Sequence, residues 1–362
     1  MKLVLVYDRV NKIGGAERVL NTLHKIWPKA PLFTSVYNPK TAPWAKNFKV
    51  IPSFLQKIPG AKSRHEWLLP AMPRAFESFD FSNFDVVISI TSAEAKGIIT
   101  SPSTLHICYC LTPTRYLWSG KKDYEVGWGG LGLKVFGPGL RQWDFVASKR
   151  PDIFLAISKI VQARIRKYYR RDAEIIYPPF LKLPITNYQL PITNYYLIVS
   201  RLVPYKCIDL AVKAFNKLGK NLIIIGQGME KKSLTRIAKK NVKFIDRLTD
   251  EQLAGYYMSC RALVFPGKED FGLTSLEAQS FGKPVIGIDR GGLTETVIHG
   301  KTGWLFEKQT VESLICAVKD FEKRKFSAKA CQAQTSKFSE KTFIKKFKNK
   351  VEAAWQKHQK NI

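Results

Sequence analysis

Nine short runs, apolar almost throughout, constrain the fold of this chain more than any other feature of its sequence. They fall at residues 3–7, 85–90, 106–110 and 153–157, then at 196–200, 221–225, 242–245, 262–265 and 284–288. A strand with one wet face alternates polar and apolar side chains, whereas a strand buried on both faces does not. Segments with helical spacing lie among the runs, at 16–26, 208–218, 250–259 and 275–281. Strand, helix and strand in that alternation make parallel sheets with helices on their faces. At 362 residues the chain exceeds what one core ordinarily holds, so the expected fold class is α/β, with two doubly wound domains facing each other.

The boundary is visible in the residues. A Pro178-Pro179 pair precedes Leu183-Pro184-Ile185-Thr186-Asn187-Tyr188, which recurs unchanged as Leu190-Pro191-Ile192-Thr193-Asn194-Tyr195. Two copies make no solenoid, and a duplication is best tolerated in an exposed linker. The expected organisation is therefore a domain over 1–180, a linker over 181–195 and a second domain over 196–335. In the final segment, 336–362, Phe343, Phe347, Val351 and Trp355 recur every four positions opposite a lysine-rich face. Such a stripe marks a helix that packs back on the N-terminal domain or lies on a membrane surface.

Composition removes several classes. With 45% hydrophobic and 24% charged residues the chain is globular, neither disordered nor fibrous. No apolar run approaches the roughly 18 residues of a membrane span. The start, Met1 to Asp8, turns acidic too soon for a signal peptide and reads as a first strand. Six cysteines are too few for a disulfide scaffold, and Cys108 and Cys110 have no second pair at metal-ligand spacing, so reduced, cytoplasmic thiols are expected. The formal charge of +30 is the unusual quantity; it is spread evenly, with 27 basic and 13 acidic residues up to residue 180 and 32 and 16 beyond. That balance suits polyanionic company, whether nucleic acid, nucleotide phosphates or anionic lipid head groups.

Four glycine- or charge-bearing segments follow strands. Gly14-Gly15 stands between the first run and a helix, where backbone N–H groups can meet a phosphate. Arg201 and Lys206 flank the entry to the helix at 208–218, and together can grip a diphosphate. Glu269 and Glu277 frame Phe271-Gly272-Leu273-Thr274, although Thr274 and Glu277 also fit a capping box. Gly291-Gly292 and Thr302-Gly303 add further glycine turns. By contrast, Gly127 to Gly132 fits G-x-G-x-x-G yet follows no strand and opens no evident helix, and reads as a glycine-rich loop.

Taken in order, these segments resemble family 4 glycosyltransferases. The resemblance rests on Gly14-Gly15-Ala16-Glu17-Arg18, Ser200-Arg201 to Tyr205-Lys206, the E-x7-E pair Glu269 and Glu277, and Gly291-Gly292 to Thr302-Gly303, and it covers nearly the whole chain. The run Tyr109 to Trp118, with Glu269-Asp270-Phe271-Gly272, is most similar to the O-antigen-type mannosyltransferases. The resemblance implies a GT-B architecture with its active site in an interdomain cleft. It also implies a retaining hexosyltransferase that uses a nucleotide-sugar donor, here GDP-mannose, on a glycan or lipid-linked acceptor of cell-surface polysaccharide synthesis. Arg201 and Lys206 would hold the donor diphosphate, Glu269 the sugar, and the backbone of Phe271, Gly272, Leu273 and Thr274 sugar or phosphate oxygens. Glu277 would accept from the ribose hydroxyls, and Gly14-Gly15 would approach phosphates or acceptor. No metal or other cofactor is implied, and the sequence holds no D-x-D. Leu111 stands where related sequences carry a histidine thought to contact the donor sugar.

Three alternatives remain open from the sequence: a UDP-sugar donor on the same fold, a nucleotide-cofactor oxidoreductase, and a nucleic-acid-binding protein. The second lacks its glycine fingerprint after a strand, and the third lacks a reader motif, so no nucleic-acid partner is expected. The charge further suggests a soluble enzyme in peripheral contact with the anionic inner face of the cell membrane.

Overall fold

The computed structural model describes residues 1–12, 14–62, 65–120, 127–185, 187–188, 194–246 and 248–361. The chain divides into two compact units, Met1–Pro179 joined by Glu340–Ile362, and Phe180–Ser339.

The first unit is built on a seven-stranded sheet: β1 Leu3–Tyr7, β2 Leu32–Thr34, β3 Val50–Pro52, β4 Val86–Thr91, β5 Leu105–Cys110, β6 Ile153–Ala156 and β7 Glu174–Ile175. Its order is β3-β2-β1-β4-β5-β6-β7, and every pair is parallel. Every residue of β1, β4 and β5 is buried, as two-faced coverage by helices requires. The second unit carries β8 Tyr196–Val199, β9 Leu222–Ile225, β10 Val242–Ile245, β11 Ala262–Phe265, β12 Val285–Ile288 and β13 Gly303–Phe306, ordered β10-β9-β8-β11-β12-β13 and again wholly parallel. In each sheet the chain winds outward one way from its first strand and then returns to wind the other way. The reversals lie between β1 and β4 and between β8 and β11. Ligands of open α/β sheets bind outside the carboxyl ends of strands at such reversals.

The unit boundaries differ from those read in the sequence. The described residues of 181–195 belong to the second unit and most of them are exposed, but Leu183 and Tyr195 lie in that unit's core, and the Tyr195 hydroxyl donates to the Tyr256 carbonyl at 2.8 Å. In the first repeat copy the matching Tyr188 is exposed, while most of the second copy lies outside the described residues. Residues 336–339 also stay with the second unit, where the Phe180 amide donates to the Phe338 carbonyl at 2.8 Å.

The last helix, Glu340–Gln359, returns to the first unit. Its Phe343, Phe347 and Val351 are buried, with both phenyl rings against Tyr109 at 6.0 and 5.4 Å and Phe347 against Trp27 at 6.2 Å. Glu340 adds an ion pair to Lys25 at 2.6 Å and accepts from the Thr22 hydroxyl at 3.0 Å. Three of the stripe's four residues are thus consumed inside the protein, with Trp355 half-buried, which leaves the lysine-rich face outward. No helix among the described residues is long and apolar enough to cross a membrane.

Candidate active site

At the reversal in the second unit two loops leave the carboxyl ends of β8 and β11. The first is held by the Ser200 amide donating to Ile225 and the Leu202 amide donating to Gln227, at 3.0 and 2.9 Å. A single 3-10 turn, Pro204–Lys206, then aims Lys206 inward, where it is buried beside the Tyr205 ring. Arg201 remains exposed and donates to the Tyr205 hydroxyl at 2.6 Å. The second loop brings Glu269 onto Lys206, and the two form an ion pair and hydrogen bond. Sequence reading gave Glu269 a sugar contact; here one of its oxygens holds the lysine.

The second loop has little freedom. The Gly292 amide donates to the Glu269 carbonyl at 2.8 Å, and a Cβ on Gly292 would stand 2.3 Å from the Phe271 Cα. The glycine therefore lets two backbones touch. Phe271 itself packs edge-on against Phe338 at 5.5 Å. Gly272, at φ +91°, turns the chain into the helix Leu273–Ser280, a conformation that disfavours other residues. The amides of Gly272, Leu273 and Thr274 have no acceptor among the described residues, leaving three donors at the positive end of a helix. The helix is pinned from below: the Ser275 hydroxyl donates to the Gly272 carbonyl at 2.7 Å and lies 2.8 Å from the Thr296 hydroxyl, while Gln279 donates to the Ser275 and Thr296 carbonyls.

Glu277 departs from the expected geometry. Gly272 is the residue that caps the helix, so Thr274 and Glu277 make no capping box, and Glu277 lies beyond the first turn. It is 3% exposed and accepts from the Tyr257 hydroxyl at 2.7 Å. Arg201, Lys206, Glu269 and the Phe271 to Thr274 backbone thus share one sheet edge in the second unit, with Glu277 further along the helix that leaves it. Gly14 and Gly15 belong to the first.

In the first unit Gly14 precedes the helix Gly15–Ile26. A Cβ on it would lie 3.1 Å from a carboxylate oxygen of Glu17, which is buried and accepts from the Tyr7 hydroxyl at 2.7 Å. Asp8 ties β1 to β4 across the reversal, accepting from the Thr91 hydroxyl and the Ser92 and Ala95 amides at 2.7, 2.7 and 2.9 Å. Buried Glu94 pairs with Arg9 at 2.6 Å and accepts from the Tyr116 hydroxyl. The sequence reading did not single out Asp8 or Glu94; acids just past strand ends were the available signal.

Leu111 follows β5, with its amide on the Thr91 carbonyl at 2.8 Å. His106 cannot take over from the missing histidine. It is fully buried within β5 on the Ser89 hydroxyl at 2.8 Å, and burial, reinforced by Arg150 and Arg171, pushes its imidazole down to about 3. Burial likewise raises the Cys108 thiol to about 12. Among the described residues no group of three or more His, Cys, Asp or Glu could hold a metal ion. The segment from Gly127 is not a loop but opens the helix Gly127–Ala147.

Residues 191–338, nearly the whole second unit, match the family model for glycosyl transferases group 1. The second unit is similar along nearly its whole length to group 1 glycosyltransferase domains. Among curated relatives, an uncharacterized glycosyltransferase of Methanocaldococcus jannaschii is 28% identical over 173 residues, 46% of this chain and 49% of the relative. The GDP-mannose-dependent alpha-(1-6)-phosphatidylinositol monomannoside mannosyltransferase of Mycolicibacterium smegmatis is 30% identical over 237 residues, 57% of this chain and 60% of its own. The chain thus spans about half to three fifths of the length of these two relatives. Among solved structures, Anabaena HepE in complex with UDP superposes with a TM-score of 0.72 at 18% identity, covering 98% of this chain and 100% of that one. The two parallel-sheet units are Rossmann-like and the fold is GT-B.

Burial pushes the Glu17 carboxyl above its usual range, against the opposing pull of the Tyr7 hydroxyl. Its proton therefore stays on in the folded chain after leaving the unfolded one. This contribution favours folding below the unfolded value near 4.5 and is lost as pH rises through the folded value. The stability of wild type relative to Glu17→Gln should fall across that window in denaturant titrations; a difference that rises with pH, or stays flat, contradicts the assignment.

Proposed function

We propose that this protein is a retaining, metal-independent hexosyltransferase of family 4, which moves mannose from GDP-mannose to a glycan or lipid-linked acceptor. The carrying observation is the Lys206–Glu269 pair beside the three open amides that start the helix Leu273–Ser280. Breaking a glycosyl–phosphate bond builds positive charge on the sugar and negative charge on the diphosphate. Fixed cations and N–H dipoles stabilise that negative charge without reorganising during the reaction. Lys206 is already largely desolvated, and Arg201, oriented by Tyr205, adds a fork that can grip two oxygens. Glu269 holds the ammonium ready; a diphosphate oxygen competing for Lys206 releases that carboxylate toward the sugar hydroxyls. Buried Glu277 accepts from ribose hydroxyls beside its bond to Tyr257.

The GDP-mannose dependence of the Mycolicibacterium relative supports GDP-mannose. The UDP in the Anabaena complex favours a UDP-sugar as the second reading. Donor turnover across GDP-mannose and UDP-sugars, with and without EDTA, tests both. Nucleotide diphosphate release from GDP-mannose that survives EDTA, with retained anomeric configuration by NMR, is the expected result. Inversion, loss with EDTA, or preference for a UDP-sugar rejects the corresponding part.

Lys206→Ala and Arg201→Ala should each lower kcat/KM by the roughly 1.5–3 kcal/mol typical of charged hydrogen bonds, with the fold kept. Near-normal turnover in either variant dismisses its place in the diphosphate clamp.

We further propose a cytoplasmic enzyme resting on the anionic inner membrane leaflet through its basic surface alone. Binding to anionic vesicles in co-sedimentation should weaken steeply from about 0.1 M to about 1 M salt, as the Debye length contracts from about 10 to about 3 Å. Equal binding to neutral vesicles, or binding that persists in salt, refutes it.

A further inference from the structure

The first unit contains a cavity of about 560 Å³ that takes no part in the site described above. It lies between the segment Tyr116 to Trp118 and the helix Gly127–Ala147. That volume falls within the range of about 300–1,000 Å³ usual for small-molecule sites. Apolar side chains of Leu117, Trp118, Leu133 and Phe145 form much of its wall, and two cations, Lys134 and Arg141, stand beside them. No acid is among the described lining residues.

The wall is rigid because its polar parts are satisfied from behind. The Trp118 indole N–H donates to Asp144 at 2.7 Å, and Asp144 is held by Lys96 at 2.5 Å and the Thr114 hydroxyl at 2.6 Å. Lys96 and Asp144 are each 1% exposed, so this buried network fixes the indole without offering polar groups to the cavity. The Trp118 ring is stacked on Tyr168 at 5.2 Å, with the Arg141 guanidinium 4.4 Å above it. Arg141 and Lys134 are exposed and have no acidic partner among the described residues. Gly132, Gly137 and Gly139 leave this stretch of helix without side chains, while Val135 and Phe136 extend apolar surface outside it.

Among the described residues, apolar walls with two cations and no carboxylate select a ligand that is apolar at one end and anionic at the other. We infer that the cavity binds an anionic amphiphile, a hydrocarbon chain ending in a phosphate. The chain lies against Leu117, Leu133 and Phe145, and the phosphate meets Arg141 and Lys134. A guanidinium already stacked on an indole has lost little freedom when it grips phosphate oxygens. The inference extends the proposed function by supplying a lipid-phosphate site, but it does not depend on transfer occurring.

Calorimetric titration of the full chain with dodecyl phosphate, below its micelle concentration and without sugar nucleotide, tests it directly. One saturable site is expected. Buried methylenes each contribute about fourfold in affinity, so octyl phosphate should bind at least about tenfold more weakly. Inorganic phosphate and the uncharged dodecyl maltoside should also be much weaker. Arg141→Gln and Lys134→Gln, both at exposed positions, should each weaken dodecyl phosphate at least about fivefold. Gln142→Phe, which adds bulk at the lining, should weaken it while thermal unfolding stays that of wild type. Inorganic phosphate binding as tightly would reduce the site to an anion patch and overturn the inference. So would indifference to chain length, equal binding of the uncharged amphiphile, or unchanged affinity in both cation variants. Because no donor is present, failure here leaves the transferase reading standing, and failure of donor turnover leaves this site standing.

Discussion

Every strand pair in both sheets is parallel, and the rest of the molecule follows from that constraint. A parallel partner cannot be reached by a tight turn, so each connection crosses a face of the sheet, usually as a helix. All carboxyl ends then emerge on one edge, and the loops leaving them gather there. Where the winding reverses, adjacent strands send their connections to opposite faces and a crevice opens. Lys206 and Glu269 come from the two strands that flank the reversal in the second unit, and Asp8 and Thr91 from those in the first.

The two reversals are used differently. In the first unit Asp8 is saturated by a hydroxyl and two amides, and Glu94 by a guanidinium and a phenol. Those carboxylates close the crevice and stiffen it. In the second unit the same edge keeps three amides without an acceptor among the described residues, beside an ammonium buried against the Glu269 carboxylate. An unfilled set of donors around a pre-placed cation is what a multiply charged leaving group requires. The apolar cavity beside Trp118 depends on the first unit's stiffness, since Asp144 and Lys96 hold its wall from inside.

Long buried strands announce themselves in sequence, and short ones do not. The strands β1, β4, β5, β6 and β8 to β12 were legible as apolar runs. β2 and β3 have three residues each, and β7 has two, one an exposed glutamate, so no periodicity could develop. β13 opens on a glycine and reads as a turn. The helix Gly127–Ala147 defeats propensity altogether, with glycines and Pro138 inside it, because tertiary packing of Leu133 and Leu140 overrides them. At the site, residue types and order were legible but pairings were not. Nothing in the spacing of Lys206 and Glu269, 63 positions apart, says they touch, nor that Tyr257 closes on Glu277. Repetition did not give burial either: Tyr195 is fully buried where the matching Tyr188 is exposed.

The return of the helix Glu340–Gln359 to the first unit has a consequence for how the chain is made. Domains emerging from the ribosome tend to fold in order, the N-terminal one first. Here the second unit is one unbroken stretch, complete once Ser339 has emerged, whereas the first lacks the cover over Tyr109 and Trp27 until the helix Glu340–Gln359 follows. Of the two units, the one begun earlier is therefore the one finished later.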